Sequence, residues 1–480
     1  MTAPTGYREP LMLIDGQWTR GRGTATRPIE NPATGEVLTE LPMATAADLD
    51  AALEAAQRGF EVWRRTSPLE RGRVLRAGAD AMRARETELA DVITAELGKP
   101  LAESRAEIGL AAEHLEWAAE EGRRAYGRVI PSRHPNTLQH TVIEPVGVVA
   151  GFAPWNAPAI TPARKIGGAL AAGCSIVLKP AEEAPSAALI MAEILQQAGL
   201  PDGVLNVVFG DPPMIGRHLA SSPIVRAVTF TGSTRVGAEL SALGAPTMTR
   251  MTMELGGHAP VLVLADADVA AVAASAVPAC LRNSGQVCTS PTRFLVHASI
   301  FERFVSVFTK AVSELRVGDG SIDGVQMGPV ATARRLEAMA ELTQDAVAKG
   351  AVVETGGERV GETGWFWRPT VLTSVPPDAL VATTEPFGPV KTVASFEDLD
   401  EALAEANRLP FGLASYAWTG DSRAAGRIAD SIEAGTVSIN SWQPSLPETP
   451  FGGVRLSGLG SEGGVEGLYG FQRVKYVSRS

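Results

Sequence analysis

A chain of 480 residues exceeds what one simple core accommodates, so two or three domains are expected. Its 45% hydrophobic and 20% charged residues are ordinary for a globular protein. The 43 Lys and Arg against 54 Asp and Glu give a net charge of −11, with pI near 5.3, which disfavours general attraction to nucleic acid or anionic membrane and leaves anion recognition to local cations.

Residues 1–40 read as an extended arm with strands, because Leu11–Trp18 and Thr24–Leu38 are broken by Gly, Pro and Thr. The stretch Met1–Trp18 has no basic region followed by an apolar run, so no signal peptide is expected. From Thr45, a candidate N-cap, to about Arg124 the apolar residues recur at helical spacing, as in Leu49, Ala52, Leu53, Ala56 and Phe60. Tyr126–Gln139 is polar and punctuated by Pro and Gly, which predicts a hairpin or linker leaving the body.

Short β-branched runs then alternate with helical segments: Val146–Phe152, Ser175–Leu178, Leu205–Phe209, Val225–Phe230 and Met251–Leu255. This spacing suits βαβ crossovers and a parallel sheet, which binds ligands at the carboxyl ends of its strands. The alternation resumes with Val261–Leu264, Arg293–His297, Lys391–Phe396, Leu413–Trp418 and Thr436–Ile439, a second α/β domain whose boundary falls near Glu254–Gly257. The most apolar window, 258–281, is broken by Asp266, Asp268 and Pro278, so no membrane span is expected. Phe471–Val477 is a strand-like run that pairs with the 126–143 segment or a second subunit. Three cysteines are too few for a disulfide framework, and a reducing, cytoplasmic setting is expected.

Cys288 follows the polar, Gly-containing approach Arg282-Asn283-Ser284-Gly285-Gln286, which is unsuited to a core. Cys174 and Cys280 sit in apolar runs and read as small buried hydrophobes. A thiolate nucleophile needs local positive potential. Glu254 ends an apolar run and precedes Gly256-Gly257, a pair that implies backbone close to something else. A thiol and a carboxylate able to activate water suffice for a two-step reaction through a thioester. In Pro154-Trp155-Asn156-Ala157-Pro158 the prolines fix the backbone around Asn156, whose amide is either a turn residue or a donor to a developing oxyanion.

Phe230-Thr231-Gly232-Ser233-Thr234, where a strand becomes a helix, reads as a phosphate site or an ordinary N-cap. No GxGxxG is present in the alternating region 146–254, and Gly210 with Gly216 is a poor substitute, so a standard Rossmann enzyme is disfavoured. Lys179 and Glu182 stand at another strand end, where both can bond ribose hydroxyls and the carboxylate would repel a 2′-phosphate. Glu385-Pro386-Phe387-Gly388-Pro389 is a stiff loop with one carboxylate and one aromatic.

In order, PWNAP (154–158), KPAE (179–182), FTGST (230–234), MELGG (253–257), GQVC (285–288), EPFGP (385–389) and PFGGVRLSGLG (450–460) resemble the aldehyde dehydrogenase superfamily over nearly the whole chain. The resemblance implies two α/β domains with parallel sheets: an NAD-binding Rossmann variant (1–125 and 144–254) and a catalytic domain (255–440). Oligomerisation strands at 126–143 and 465–480 complete it and imply a homodimer or homotetramer. It implies Cys288 as nucleophile, Glu254 as general base and Asn156 as oxyanion donor. For NAD, in preference to NADP, it implies contacts from Lys179, Glu182, Ser233 and Glu385, with Gly210, Gly232, Trp155 and Phe387 beside them; no metal is implied. Ala157 stands where many members carry Phe, which widens that wall, and His258 and Ser461 also depart from the common pattern.

Within the superfamily the chain is most similar to succinate-semialdehyde dehydrogenases, through Arg164 (eight after Asn156), Arg282 (six before Cys288) and Ser445 (five after Asn440). Arg164 falls in an otherwise apolar helix and needs an anionic partner if buried. These arginines either grip a substrate carboxylate or pair with protein carboxylates. Oxidation of succinate semialdehyde or a similar semialdehyde is therefore expected. Aromatic or longer aldehydes, for which Ala157 and Trp442 would make room, are the alternative. A non-catalytic protein on the same fold is the remote one, and a CoA-acylating enzyme would not need Glu254.

Overall fold

The computed structural model describes residues 7–480. Of the extended arm expected over 1–40, residues 1–6 lie outside that range; the rest forms β1 (Met12–Ile14), β2 (Gln17–Thr19), β3 (Thr26–Glu30) and β4 (Val37–Pro42). Thr45 is the expected N-cap. Its side chain accepts from the Asp48 N–H while the Asp48 carboxylate accepts from the Thr45 N–H, a capping box. Four helices follow: α1 (Ala46–Trp63), α2 (Pro68–Ala84), α3 (Glu86–Leu97) and α4 (Leu101–Glu121). Gly98, at φ 78, ends α3 in the left-handed conformation that a glycine adopts without strain.

The predicted hairpin is β5 (Val129–Ile130) with β6 (Leu138–Pro145), and the alternating region is β7 (Val148–Phe152), α5 (Ile160–Ala172), β8 (Ser175–Lys179), α6 (Ser186–Gln197), β9 (Leu205–Val207), α7 (Pro212–Ala220), β10 (Val225–Thr231), α8 (Thr234–Gly244) and β11 (Arg250–Glu254). The next half runs β12 (Ala259–Val263), α9 (Val269–Leu281), β13 (Pro291–His297), α10 (Phe301–Ser313), α11 (Ala333–Ala348), β14 (Val352–Thr355), β15 (Thr370–Thr373), α12 (Leu380–Thr383), β16 (Val390–Phe396) and α13 (Leu399–Ala406). The chain closes with β17 (Phe411–Gly412), β18 (Ala414–Trp418), α14 (Ser422–Ser431), β19 (Thr436–Ile439), β20 (Val454–Arg455), β21 (Gly458–Leu459) and β22 (Gln472–Arg479).

Two large sheets result. The first has the order β2-β1-β9-β8-β7-β10-β11-β21, parallel from β9 to β11 and antiparallel at both edges. The second is β14-β15-β16-β13-β12-β18-β19, parallel except for β14. Both match the expected α/β class. β7 and β8 are buried along their whole length, as continuous apolar runs covered by helices on both faces require. β14 and β15 are not foreseen from sequence: β14 is largely exposed, and each spans four residues, too short for a clear alternation.

The segment after β19 crosses back to the first sheet, where Met253 pairs with Leu459 and Glu254 with Gly458. β22 pairs antiparallel with β6 along its length, the first of the two partners the sequence allows for that run. Val142, Val474 and Tyr476 on these strands are exposed. No helix among the described residues is long and apolar enough to cross a membrane.

Candidate active site

The carboxyl ends of β7, β10 and β11 face a cavity of about 740 Å³ that also receives the approach to β13 and the loop before β16. Trp155, Asn156, Arg164, Gly232, Ser233 and Glu254 line it from the first half of the chain, and Arg282, Cys288, Glu385, Phe387 and Ser445 from the second. Lys179, Glu182 and Gly210 stand outside this lining, at and beyond the end of β8.

Cys288 is reached through three consecutive residues of positive φ: Asn283 (50), Ser284 (56) and Gly285 (72). The two that are not glycine are strained, and hydrogen bonds hold them there. Asn283 Nδ2 donates to Asn156 O at 2.9 Å, and Ser284 Oγ to Gly328 O at 2.8 Å. Asn156 in turn donates Nδ2–H to Gln286 O at 2.9 Å, which uses one of its two amide hydrogens. Lys99 Nζ donates to Asn156 O at 3.3 Å and is paired with Glu107, whose Oε1 accepts from the Ala159 N–H at 2.9 Å. The amide candidate is thus locked to the 283–286 approach to Cys288.

Burial pushes the Cys288 thiol up to about 12, with Glu385 and Glu254 adding to the rise and Arg164 and Arg282 opposing it. The positive potential that a thiolate needs is outweighed here: burial and two carboxyl groups prevail over two guanidinium ions, and the sulfur keeps its proton. Glu254 behaves alike. Its carboxyl is raised well above the usual carboxylate range by burial first and by Glu462 second, against Lys165 and Arg164. Neither Glu254 oxygen has a hydrogen-bond partner, which an ionised carboxylate would demand.

The Gly-Gly pair after Glu254 does make the close approaches that its composition implies. A Cβ on Gly256 would lie 2.6 Å from Glu385 Oε2, and one on Gly257 would lie 3.1 Å from Cys288 O. Glu385 is raised to about 8 by burial, partly offset by the Gly257 N–H and by Arg335 and Lys391. Its loop is pinned from two sides. Arg335 Nη2 donates to Phe387 O at 3.0 Å, and the buried Lys391 Nζ donates to Gly388 O at 3.2 Å and Ser290 Oγ at 2.9 Å. Trp155 meets the Phe387 ring edge-on at 5.5 Å.

Ser233 is the N-cap of α8 yet makes no side-chain cap bond, so its hydroxyl and the helix N-terminus are available to a phosphate. A Cβ on Gly232 would lie 2.5 Å from the Phe230 ring, which explains the glycine. Lys179 Nζ donates to Glu182 Oε2 at 2.6 Å, and the other Glu182 oxygen accepts from the Gly210 N–H at 3.4 Å. Arg27 approaches Glu182 at 4.0 Å. An open helix N-terminus after β10 and a Lys–Glu pair at the end of β8, two strands away in the same sheet, suit the phosphates and ribose of a nicotinamide dinucleotide.

At the far wall, Arg164 of α5 meets neutral partners only, where the sequence anticipates an anion. Its Nε donates to His114 Nε2 at 3.1 Å, its Nη2 donates to Ser445 Oγ at 2.9 Å, and its guanidinium stacks 4.4 Å from the centre of the Phe451 ring. Neither Arg164 nor the more exposed Arg282 forms an ion pair among the described residues. His114, Lys165, Glu462, Asn283, Gln286, Arg335 and Lys391 were not singled out by sequence. Lys165 was discoverable, since it follows Arg164 in an apolar helix, and it donates to Glu462 at 2.6 Å while fully buried.

The profile of the aldehyde dehydrogenase family matches residues 18–477. A putative 4-(hydroxymethyl)benzenesulfonate dehydrogenase of Comamonas testosteroni is 46% identical over 98% of both chains. An NADP(+)-designated succinate-semialdehyde dehydrogenase of Escherichia coli is 39% identical over 97% of this chain and 96% of its own. The crystal structure of succinate-semialdehyde dehydrogenase from Burkholderia pseudomallei superposes with a TM-score of 0.97 at 43% identity, covering 100% of this chain and 99% of that one.

Proposed function

The chain belongs to the aldehyde dehydrogenase family, enzymes that oxidise aldehydes with NAD(P), and from that premise we propose that its substrate is succinate semialdehyde or a similar aldehyde with a distal carboxylate. The observation that carries this reading is Arg164: a guanidinium in the cavity wall held by His114, Ser445 and the Phe451 ring, with no carboxylate in ion-pair contact among the described residues. A partly buried cation without a counter-ion is costly, and a substrate anion would supply one. Arg282, on the same cavity, adds a second positive charge.

Cys288 Sγ bonds to the aldehyde carbon, and its proton passes to water in the cavity. The free amide hydrogen of Asn156 and the Cys288 N–H face the resulting oxyanion. Lys179, Glu182, Ser233 and Glu385 would hold the dinucleotide, beside Gly210, Gly232, Trp155 and Phe387, and the chemistry it would supply is acceptance of the hydride. The Cys288 thioester that remains is hydrolysed by water from which Glu254 removes a proton. Burial raises the Glu254 carboxyl, so its ionised form, once the group has lost its own proton, is a stronger base than an exposed carboxylate. Glu182 beside the ribose favours NAD over NADP. The cofactor domain would comprise 1–125 and 144–254, and the catalytic domain 255–440. The exposed apolar residues of β6 and β22 support homo-oligomerisation through 126–143 and 465–480.

A second reading keeps the anion and changes the spacer. The identity to the benzenesulfonate dehydrogenase, together with Ala157 at the cavity wall, favours an aromatic aldehyde whose ring carries a sulfonate or carboxylate. A kcat/KM panel with NAD across succinate semialdehyde, glutarate semialdehyde, 4-formylbenzenesulfonate, benzaldehyde and hexanal tests both. The proposal expects an anionic aldehyde to lead its uncharged counterparts by at least about tenfold, and parity with hexanal or benzaldehyde would refute it.

A further inference from the structure

His114 is buried on α4, which packs against the α5 helix that carries Arg164. The two helices approach closely because of Gly167, where a Cβ would lie 3.1 Å from Ala118 Cβ and 3.6 Å from His114 O. The imidazole therefore reaches the guanidinium, and Arg164 Nε donates to His114 Nε2 at 3.1 Å. An Nε2 that accepts must be unprotonated, so this ring is the neutral Nδ1–H tautomer. Burial, and then the neighbouring Arg164, hold its pKa well below the ordinary value, in agreement with that geometry.

The other bonds of Arg164 give this neutrality a consequence. Nη2 is on Ser445, one face is on Phe451, and Nη1 makes no hydrogen bond among the described residues. A carboxylate at position 114 could hold the Nε edge equally well, but it would cancel the charge. An aliphatic residue would leave the Nε edge without a partner and the guanidinium free to turn.

Building on the anionic-aldehyde reading above, we propose that His114 is a positioning residue for substrate specificity: it fixes the orientation of Arg164 by a neutral acceptor, so that the full guanidinium charge is directed to the anionic end of the substrate. It acts through Arg164 and touches no reacting atom.

Glu and Gln at this position have nearly the same shape and differ in charge, so the pair separates charge from packing. The experiment measures kcat and KM of wild type, His114→Gln and His114→Glu on succinate semialdehyde and on hexanal, with succinate as a dead-end inhibitor. His114→Gln keeps an acceptor for Arg164 Nε and is expected within about threefold of wild type on both aldehydes. His114→Glu is expected to raise KM for succinate semialdehyde and Ki for succinate about 10- to 100-fold, and to move hexanal by less than about threefold.

Equal behaviour of the Glu and Gln variants on succinate semialdehyde overturns the proposal, as does a parallel loss on both aldehydes. If His114→Glu does not fold, His114→Leu replaces it. Loss of the acceptor must then raise KM for the anionic aldehyde alone, and an unchanged KM overturns the proposal. Wild type that shows no preference for the anionic aldehyde refutes the substrate reading itself; wild-type preference with indifferent His114 variants refutes only the role of His114.

Discussion

Glu385 Oε2 occupies the space that a Cβ on Gly256 would need, at 2.6 Å. The carboxylate on one loop and the glycine after Glu254 therefore define one another. Gly256→Ala is expected to displace Glu385 and to weaken NAD binding about tenfold, read as the dissociation constant in a fluorescence titration. An unchanged constant would remove Glu385 from the cofactor contacts.

The Cys288 thiol, raised to about 12, is protonated throughout the neutral range. A raised thiol pKa means that thiolate, and hence alkylation, grows with pH and does not level off near the ordinary value of about 8.5. The rate of labelling by iodoacetamide in the cofactor-free enzyme should climb steadily from about pH 6 to about pH 10, with Cys288→Ala as the unlabelled control. A plateau below about pH 8 would show that the site stabilises thiolate after all.

Glu254→Gln is expected to release up to about one equivalent of NADH per site and then to turn over little, because the thioester forms but water is not activated. Rapid-mixing absorbance measures this. Loss of the burst as well would place Glu254 at the deprotonation of Cys288.

Arg164→Leu should lower kcat/KM for succinate semialdehyde about 10- to 100-fold, mainly through KM, since a charge-assisted grip is present in ground and transition states alike. Hexanal should lose little or gain. Equal losses on the two aldehydes would make Arg164 structural.

Glu182 is flanked by Lys179 at 2.6 Å and Arg27 at 4.0 Å. Its repulsion of a 2′-phosphate is therefore reduced, and a preference for NAD of about tenfold in kcat/KM is the expected outcome. Glu182→Gln should narrow it further. Equal use of both cofactors by wild type would refute the ribose-side role of Glu182.

Sequence reached the α/β alternation, the Thr45 cap and the pairing of the 471–477 run, because each leaves a local signature: periodic apolar residues, a hydroxyl before a helix, a β-branched run. The glycine- and proline-bounded contexts of Cys288, Glu254 and Asn156 also pointed to three residues that line one cavity. Sequence did not reach His114 or Lys391, whose importance lies in contacts with Arg164 and Ser290 far away in the chain. Nor did it reach the ionisation of the site. The thiol's proton is decided by burial and by Glu385, and neither can be read from the residues around Cys288.

The pairing of β22 with β6 joins Glu144 to Arg473, 329 positions later, and Glu254 waits on β21 in the same way. During synthesis the chain leaves the ribosome from its N-terminus, so β6 and the outer side of β11 emerge long before their partners exist. Until the closing segment arrives, two strand edges stand open to wrong neighbours. Completion of this enzyme is thus tied to a stretch made long after the strands it closes, and a slow ribosome before that stretch would prolong the time those edges stand open.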